Sequence, residues 1–199
     1  MKTYVATKNA GKLDELRAIF ASSPLDLRTF DGYGDVEETA ESYAGNAFLK
    51  ARALAAQLRA AGIDAPVLAD DSGLEVDALG GRPGIYSARY AGTDASWPRR
   101  RAHLLEELRG VPQAGRGGRF VCTMAFVDAS GKETVAGGSV AGYLTEEERG
   151  SAGFGYDPVF YYPPLGCTFA ELDPAVKNAV SHRGAAARSL LEALQSLLF

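Results

Sequence analysis

Four carboxylates in two adjacent pairs are the residues best suited to chemistry in this sequence. Glu37 and Glu38 lie in a polar stretch before a segment with helical periodicity, and Asp70 and Asp71 follow the apolar run 67–69. Carboxylates at the end of a strand are well placed to meet a ligand, and Mg²⁺ takes oxygen ligands of this kind. A metal-bound water beside a carboxylate base is a standard nucleophile for cleaving a phosphoanhydride. The alternative is structural: Asp70 caps the turn after the strand, and one glutamate caps the helix.

A polar loop near the N-terminus combines groups that can bind phosphate. Thr7, Asn9 and Lys12 stand where a predicted strand over residues 2–6 gives way to a predicted helix over 12–20. Backbone N–H groups at the start of a helix attract anions, and Lys12 adds a positive charge. Taken alone the spacing is weak evidence, because an N-cap followed by a surface lysine also accounts for it.

Two further clusters could contact a nucleotide. Lys177, Ser181, His182 and Arg183 lie close together near the C-terminus, and an arginine fork beside helix N–H groups can hold a base or a phosphate. His182 could also be a packed structural residue. The segment 154–157 has the sequence Phe-Gly-Tyr-Asp, and an aromatic face stacks on a nucleobase with on the order of 1–3 kcal/mol. Its structural interpretation, a turn leading into a buried strand, is compatible with that role.

The elements that would position these groups alternate between strand and helix. After the first strand and helix we expect an extended stretch over 25–30, a helix over 42–60, a strand over 67–69 and a helix from Pro98 to near Leu108. A hairpin of 119–127 and 133–140 should follow, with its turn at residues 128–131, and then a strand through Val159 and Phe160. Helical sequence begins at about Pro174, and its apolar face carries Leu190, Leu191, Leu194 and Leu198. This pattern predicts an α/β fold, a mixed β-sheet covered by helices, in a single domain over residues 1–199.

The composition argues against several classes of protein. A formal net charge of -4 argues against a broad basic surface for a nucleic-acid polymer. No stretch approaches the roughly 20 apolar residues needed to cross a membrane, and the apolar run within 1–7 is too short for a signal peptide. Cys122 and Cys167 fit no metal or redox motif, so we expect two reduced thiols in a cytoplasmic protein.

Seven segments, taken in order, make the sequence resemble the inosine triphosphate pyrophosphatase family, which removes deaminated purine nucleotides. Any one of them is modest evidence, but seven in the family's order are hard to produce by chance. The segments are Thr7-Lys8-Asn9-Ala10-Gly11-Lys12, Glu37-Glu38-Thr39, Asn46-Ala47 with Lys50-Ala51, Ala69-Asp70-Asp71-Ser72-Gly73-Leu74, 80–92, 153–158, and Ser181-His182-Arg183-Gly184.

The resemblance implies a fold, a reaction and an assembly. The implied fold is a long mixed β-sheet flanked by helices, in two lobes with a nucleotide cleft between them, and the implied assembly is a homodimer. The implied reaction is Mg²⁺-dependent hydrolysis of ITP, dITP or XTP between the α and β phosphates, which releases nucleoside monophosphate and pyrophosphate. The sequence does not rank these substrates or fix the number of Mg²⁺ ions.

The resemblance also implies roles for individual residues. Asp71 would accept a proton from the attacking water and contact Mg²⁺, and Glu37 would be the second acidic metal ligand, with Glu38 as the competing choice. Lys8 departs from the small residue that is frequent there, and it either adds charge near the phosphates or faces solvent. The residues implied around the triphosphate are Thr7, Lys8, Asn9, Ala10, Gly11, Lys12 and Lys177, with Ser72 nearby. Those implied around the base are Phe154, Gly155, Tyr156, Asp157, His182 and Arg183.

Base selectivity and two other functions stay open at this point. Donors such as Arg183 or His182 would favour the 6-oxo group of inosine and xanthine over the amine of adenine. A pyrophosphatase for pyrimidine or modified nucleotides, of the related septum-inhibitor fold, would share the phosphate chemistry but not the base contacts. A nucleotide-binding protein without hydrolysis would need no base beside a metal, so the presence of Asp71, Glu37 and Lys12 argues against it.

Overall fold

The computed structural model describes residues 1–34 and 36–195, so Leu198, predicted on the apolar face of the C-terminal helical stretch, lies outside the described residues. Over these residues the chain forms seven strands and five α-helices. The strands are β1 (Lys2–Val5), β2 (Asp26–Arg28), β3 (Val67–Val76), β4 (Gly117–Val127), β5 (Glu133–Leu144), β6 (Phe160–Tyr162) and β7 (Cys167–Thr168). The helices are α1 (Ala10–Phe20), α2 (Tyr43–Ala60), α3 (Trp97–Glu107), α4 (Pro174–Val180) and α5 (His182–Ala193).

The strands form one mixed sheet in the order β2-β1-β3-β4-β5-β6-β7. β1 pairs in parallel with β2 and β3, whereas β6 pairs antiparallel with β5 and β7. The turn between β4 and β5 is closed by the Asp128 N–H, which donates to the Lys132 carbonyl at 3.0 Å. The predicted α/β class and the central hairpin are both confirmed. No helix among the described residues is long and apolar enough to span a bilayer.

The chain divides into two compact units, each with its own core. Unit 1 comprises Met1–Asp71, Cys122–Gly138 and the residues from His182 onward, and unit 2 comprises Ser72–Val121 and Ser139–Ser181. In unit 1, α1 and α5 pack with Met124 and Phe126 in one cluster, and α2 packs on β1 and β3 in another. Unit 2 is built around an aromatic cluster that includes Phe120, Phe160 and Phe169.

The predicted helices are confirmed. Each of the first three begins directly after a residue whose side chain caps it. Asn9 caps α1, Ser42 caps α2 by accepting the Gly45 N–H at 3.1 Å, and Ser96 caps α3, which has a proline in its first turn. The C-terminal helical stretch is two helices rather than one. Ser181 interrupts it with an extended backbone, φ -74° and ψ 162°, so that α5 begins with its own N-terminus at His182.

The strand predicted to end before Asp70 instead continues to Val76. Asp70 and Asp71 therefore lie inside β3, and the predicted role of Asp70 as a turn cap is wrong. The prediction failed because aspartate disfavours strands on average, whereas here basic side chains distant in sequence compensate the buried charge.

Candidate active site

The two aspartates of β3 have separate environments although they are neighbours in sequence. Successive side chains of a strand point to opposite faces of the sheet, so the two carboxylates do not share one set of partners. Asp70 is 2% exposed and Asp71 is 5% exposed. A buried carboxylate is stable only when it is paired or hydrogen-bonded, so the partners of each one define what it can do.

Asp70 is neutralised by basic side chains. Its Oδ2 lies 3.2 Å from Lys12 Nζ and 3.2 Å from Arg183 Nη2, and Arg183 also pairs through Nη1 with Glu15. Burial by itself would raise the pKa of Asp70, but Lys12, Arg183 and Lys50 outweigh it and hold that pKa well below its usual range. Asp70 is therefore a permanent anion at neutral pH, which suits it to position cations and not to accept a proton.

Asp71 has the opposite electrostatic balance. Its Oδ2 accepts a hydrogen bond from Asn46 Nδ2 at 3.3 Å, and its Oδ1 lies 3.2 Å from Lys50 Nζ. Burial raises the pKa of Asp71, and the charges of Lys50 and Lys12 offset that rise only in part. A buried carboxylate with a raised pKa is a suitable proton acceptor, so the structure distinguishes Asp71 from Asp70 chemically.

Asn46 and Lys50 are site residues to which the sequence analysis gave no role. They lie four residues apart on α2 and so share one helix face, and both are buried. The Asn46 side-chain oxygen accepts the Ala40 N–H at 3.0 Å, which leaves its amide N–H₂ directed at Asp71. The available signal was a polar pair at helical spacing within the otherwise apolar face of α2.

Lys50 links Asp71 to one of the two candidate glutamates. Its ammonium lies 2.6 Å from Glu38 Oε1, and Glu38 is half-buried, whereas the side chain of Glu37 is exposed. Burial would lower the pKa of Lys50, but Asp71, Asp70 and Glu38 outweigh it and raise that pKa, so Lys50 is charged. The structure thus brings Glu38, and not Glu37, into contact with the Asp71 cluster.

The loop predicted to bind phosphate is built by its own polar side chains. Thr7 Oγ1 accepts the Asn9 N–H at 3.2 Å, and Asn9 Oδ1 accepts the Lys12 N–H at 3.0 Å. Ala10 and Gly11 form the first turn of α1, and Lys8 is exposed. The N-cap interpretation of Asn9 is therefore correct, and it coexists with a helix N-terminus whose positive end and Lys12 can attract an anion.

The residues predicted for the base fall into two groups. In unit 2, buried Asp157 pairs with buried Lys177 and accepts the Phe154 N–H at 2.8 Å, and Lys177 lies 5.2 Å from the centre of the Phe154 ring. Lys177, predicted beside the triphosphate, is thus grouped with the 154–157 segment, and Ser72 is half-buried in the same unit. In unit 1, His182 and Arg183 are buried at the start of α5, with Arg183 on Asp70.

The side chains of this site that could bind a metal ion are carboxylates. Among residues 1–34 and 36–195 no three His, Cys, Asp or Glu side chains converge as a ready metal site. Mg²⁺ needs only one or two carboxylates, since water and substrate phosphates complete its shell. Asp71 and Glu38, which both contact Lys50, can supply that number of carboxylates. Cys122 is no competitor as a ligand, because burial and the nearby Asp70 charge raise the pKa of its thiol to about 12.

The low pKa of Asp70 predicts a pH-dependent stability. In the unfolded chain its pKa is about 3.9, so its charge contributes fully to stability above that pH and less as the pH falls toward the lower pKa of the folded state. We expect the metal-free wild type to exceed Asp70→Asn in free energy of unfolding at pH 7. That difference should narrow by about 1 kcal/mol at pH 3. Urea unfolding at both pH values measures it, and an equal difference at both would contradict the assignment.

Fold and site together define an α/β protein in which a buried carboxylate with a raised pKa lies beside Lys50, an arrangement suited to hydrolysis of an anionic substrate. The profile of the Ham1 family matches residues 3–193, and the chain belongs to this family. The resemblance inferred from the seven sequence segments is thereby confirmed.

Relatives of known name cover nearly the whole chain. A dITP/XTP pyrophosphatase of Geobacillus kaustophilus (strain HTA426) is 47% identical, covering 98% of this chain and 94% of the relative. One of Yersinia pseudotuberculosis serotype I (strain IP32953) is 46% identical, covering 98% of each chain. Among solved structures, a Coxiella burnetii HAM1 protein superposes with a TM-score of 0.86 at 36% identity, covering 98% of this chain and 99% of that one.

Proposed function

We propose that this chain hydrolyses aberrant purine nucleoside triphosphates, namely ITP, dITP and XTP, to the nucleoside monophosphate and pyrophosphate. The observation that carries the proposal is Asp71: a buried carboxylate with a raised pKa, oriented by Asn46 and Lys50, in a chain of the Ham1 family. Relatives that match over nearly their full length bear the name dITP/XTP pyrophosphatase. Hydrolysis by water is the reaction that such a proton acceptor serves.

The chain's own residues supply the proton transfer and the charge balance. Asp71 accepts a proton from water as the water oxygen bonds to the α phosphorus. The bond from that phosphorus to the bridging oxygen breaks, and its electron pair leaves on pyrophosphate. Asn46 and Lys50 each donate to a different Asp71 oxygen, which holds the carboxylate in one orientation. Lys12 and Lys50 offset the negative charge that accumulates on the phosphate oxygens in the transition state. Asp70 keeps Lys12 in place by pairing with it.

Mg²⁺ is the cofactor that we propose for this reaction. The carboxylate oxygens of Asp71 and of Glu38 or Glu37 are hard donors of the kind that Mg²⁺ selects. The contact of Glu38 with the lysine that also binds Asp71 favours Glu38 as the second ligand. When bound, the ion supplies Lewis-acid polarisation of a phosphate oxygen.

The remaining site assignments are parts of the same proposal. We assign residues 7–12, Ser72 and Lys177 to the triphosphate, and Phe154 to Asp157, His182 and Arg183 to the base. The contacts of Lys177 with Asp157 and Phe154 also allow it to act on the base side. A homodimer and a cytoplasmic location stay predictions.

A substrate panel tests the proposed function. Wild-type protein with Mg²⁺ is incubated with dITP, XTP, dGTP, ATP and dTTP, and chromatography measures both monophosphate and pyrophosphate. We expect rapid conversion of dITP and XTP to these two products and slow loss of the other three. Preference for dTTP would assign the chain to pyrimidine nucleotides, and release of orthophosphate would contradict cleavage between the α and β phosphates. Binding without turnover would indicate a nucleotide-binding protein.

A further inference from the structure

Two residues of α3 contact the 154–157 segment and have no part in the function proposed so far. Trp97 and Arg101 are four residues apart, so they lie on one face of the helix. Arg101 Nη1 donates to the Gly155 carbonyl at 2.9 Å, and its Nη2 lies 2.9 Å from Glu148 Oε2. The Arg101 side chain is only 11% exposed. Arg101 is therefore held at both ends of its guanidinium, with one end on the backbone of the segment.

Trp97 lies against Gly155 and Tyr156 of the same segment. Its ring meets the Tyr156 ring edge-on, with centroids 5.4 Å apart, and a methyl group placed on Gly155 would lie 3.7 Å from the indole. The Trp97 ring is itself held by Arg100, whose guanidinium carbon lies 5.0 Å from the ring centre and whose Nη2 donates to the Thr93 carbonyl at 2.9 Å. Tyr156 is fixed on its far side, because its hydroxyl donates to the Ser87 carbonyl at 3.2 Å.

The Arg101 hydrogen bond holds the Gly155–Tyr156 peptide inside a turn that is closed by the Asp157 N–H, which donates to the Phe154 carbonyl at 3.2 Å. Gly155 has φ +66°, and a glycine offers no Cβ to restrict the peptide that follows it. In a trans peptide the carbonyl and the next N–H point in opposite directions. Holding the Gly155 carbonyl toward α3 therefore directs the Tyr156 N–H away from α3. Arg101 therefore contributes to the orientation of a backbone donor in the 154–157 segment.

We propose that Arg101 is a positioning residue for base recognition, which acts by holding the Gly155 carbonyl while Trp97 supports Gly155 and Tyr156. This inference rests on the proposed function, because it assumes that the 154–157 segment contacts the purine. A fixed peptide presents its hydrogen-bonding groups in one direction, so a 6-oxo purine and a 6-amino purine meet a donor pattern that suits only one of them. Loss of the Arg101 hydrogen bond removes one of the contacts that hold this direction, so the peptide can adjust to either base.

The test compares Arg101→Met with Arg101→Lys and Arg99→Met. Methionine keeps an unbranched side chain but donates no hydrogen bond, lysine keeps a donor, and Arg99 is an exposed residue of the same helix. Trp97 is the single tryptophan in the sequence, so its emission reports binding at the contacted segment directly. Titrations with dIMP and dAMP give a Kd ratio, and initial rates with dITP and dATP give a kcat/KM ratio.

We expect Arg101→Met to lower the dITP-to-dATP ratio of kcat/KM about tenfold and to raise the dIMP-to-dAMP ratio of Kd about tenfold, the equivalent of roughly one charge-assisted hydrogen bond. Arg101→Lys should recover most of the loss, and Arg99→Met should match wild type. The positioning role would be overturned if both ratios of Arg101→Met, that of Kd and that of kcat/KM, stayed within about twofold of wild type. The same conclusion would follow if the variant lost equal affinity and activity for the two bases. Trp97→Phe, which keeps an aromatic ring, provides a second kcat/KM ratio if Arg101→Met does not fold.

The two proposals fail in distinguishable ways. If wild type hydrolyses dITP and Arg101→Met keeps its selectivity, the positioning role is wrong and the proposed function stands. If wild type binds dIMP preferentially without hydrolysing dITP, the proposed function fails and the Kd ratios still decide the role of Arg101. A wild type that neither hydrolyses dITP nor prefers dIMP removes both.

Discussion

Asp71→Asn should lower kcat for dITP by about 10²–10⁴-fold, the range typical for loss of a general base. Asparagine has nearly the same shape as aspartate but cannot accept the proton of the attacking water. Its side-chain oxygen can still accept a hydrogen bond from Asn46 or Lys50, so the local structure should persist. The loss should therefore fall on kcat, while the Kd for nucleotide measured by calorimetry should change little.

A matched substitution separates this effect from a general loss of charge. Asp64→Asn makes the same chemical change at an exposed position outside the site and should leave kcat as in wild type. A kcat for Asp71→Asn within tenfold of wild type would show that Asp71 is not the proton acceptor. A loss of nucleotide affinity as large as the loss of kcat would instead show that Asp71 acts mainly by binding the metal or the substrate.

Local signals explain which parts of this fold could be predicted from the sequence. Ser42 and Ser96 lie directly before helical periodicity, and both cap the helices that were predicted there. The hairpin turn at 128–131 is equally local, because its hydrogen bonds join residues that are at most four apart. Such features depend on the residues in one short window, so a single sequence specifies them.

The extent of β3 and the division of roles within it depend on contacts that no local window contains. Asp70 remains in a strand because Lys12 and Arg183 reach it from helices at opposite ends of the chain. Residue types near 70 and 71 identified a candidate site but did not distinguish the two aspartates, since only the tertiary partners separate their pKa values. The role of Lys50 was missed for the same reason.

Arg183→Met should lower the free energy of unfolding by about 3–5 kcal/mol, the range measured when one partner of a buried ion pair is removed. Arg183 is 1% exposed and its guanidinium pairs with both Asp70 and Glu15, so methionine leaves two carboxylates in a buried site with less compensation. Urea unfolding measures the loss. Arg188→Met, at an exposed position on α5, is the control and should cost less than about 0.5 kcal/mol.

A second substitution distinguishes loss of the ion pair from loss of packing. In the Arg183→Met/Asp70→Asn double variant the uncompensated charge on Asp70 is absent, so part of the stability lost in Arg183→Met should return. If the double variant loses as much stability as Arg183→Met and Asp70→Asn lose together, the pair does not stabilise the fold and Arg183 is available for the base. In that case the dITP-to-ATP ratio of Arg183→Met should fall, because a donor to the 6-oxo group would be lost. If stability returns and the ratio is unchanged, Arg183 acts through Asp70 and Lys12, on the phosphate side of the reaction.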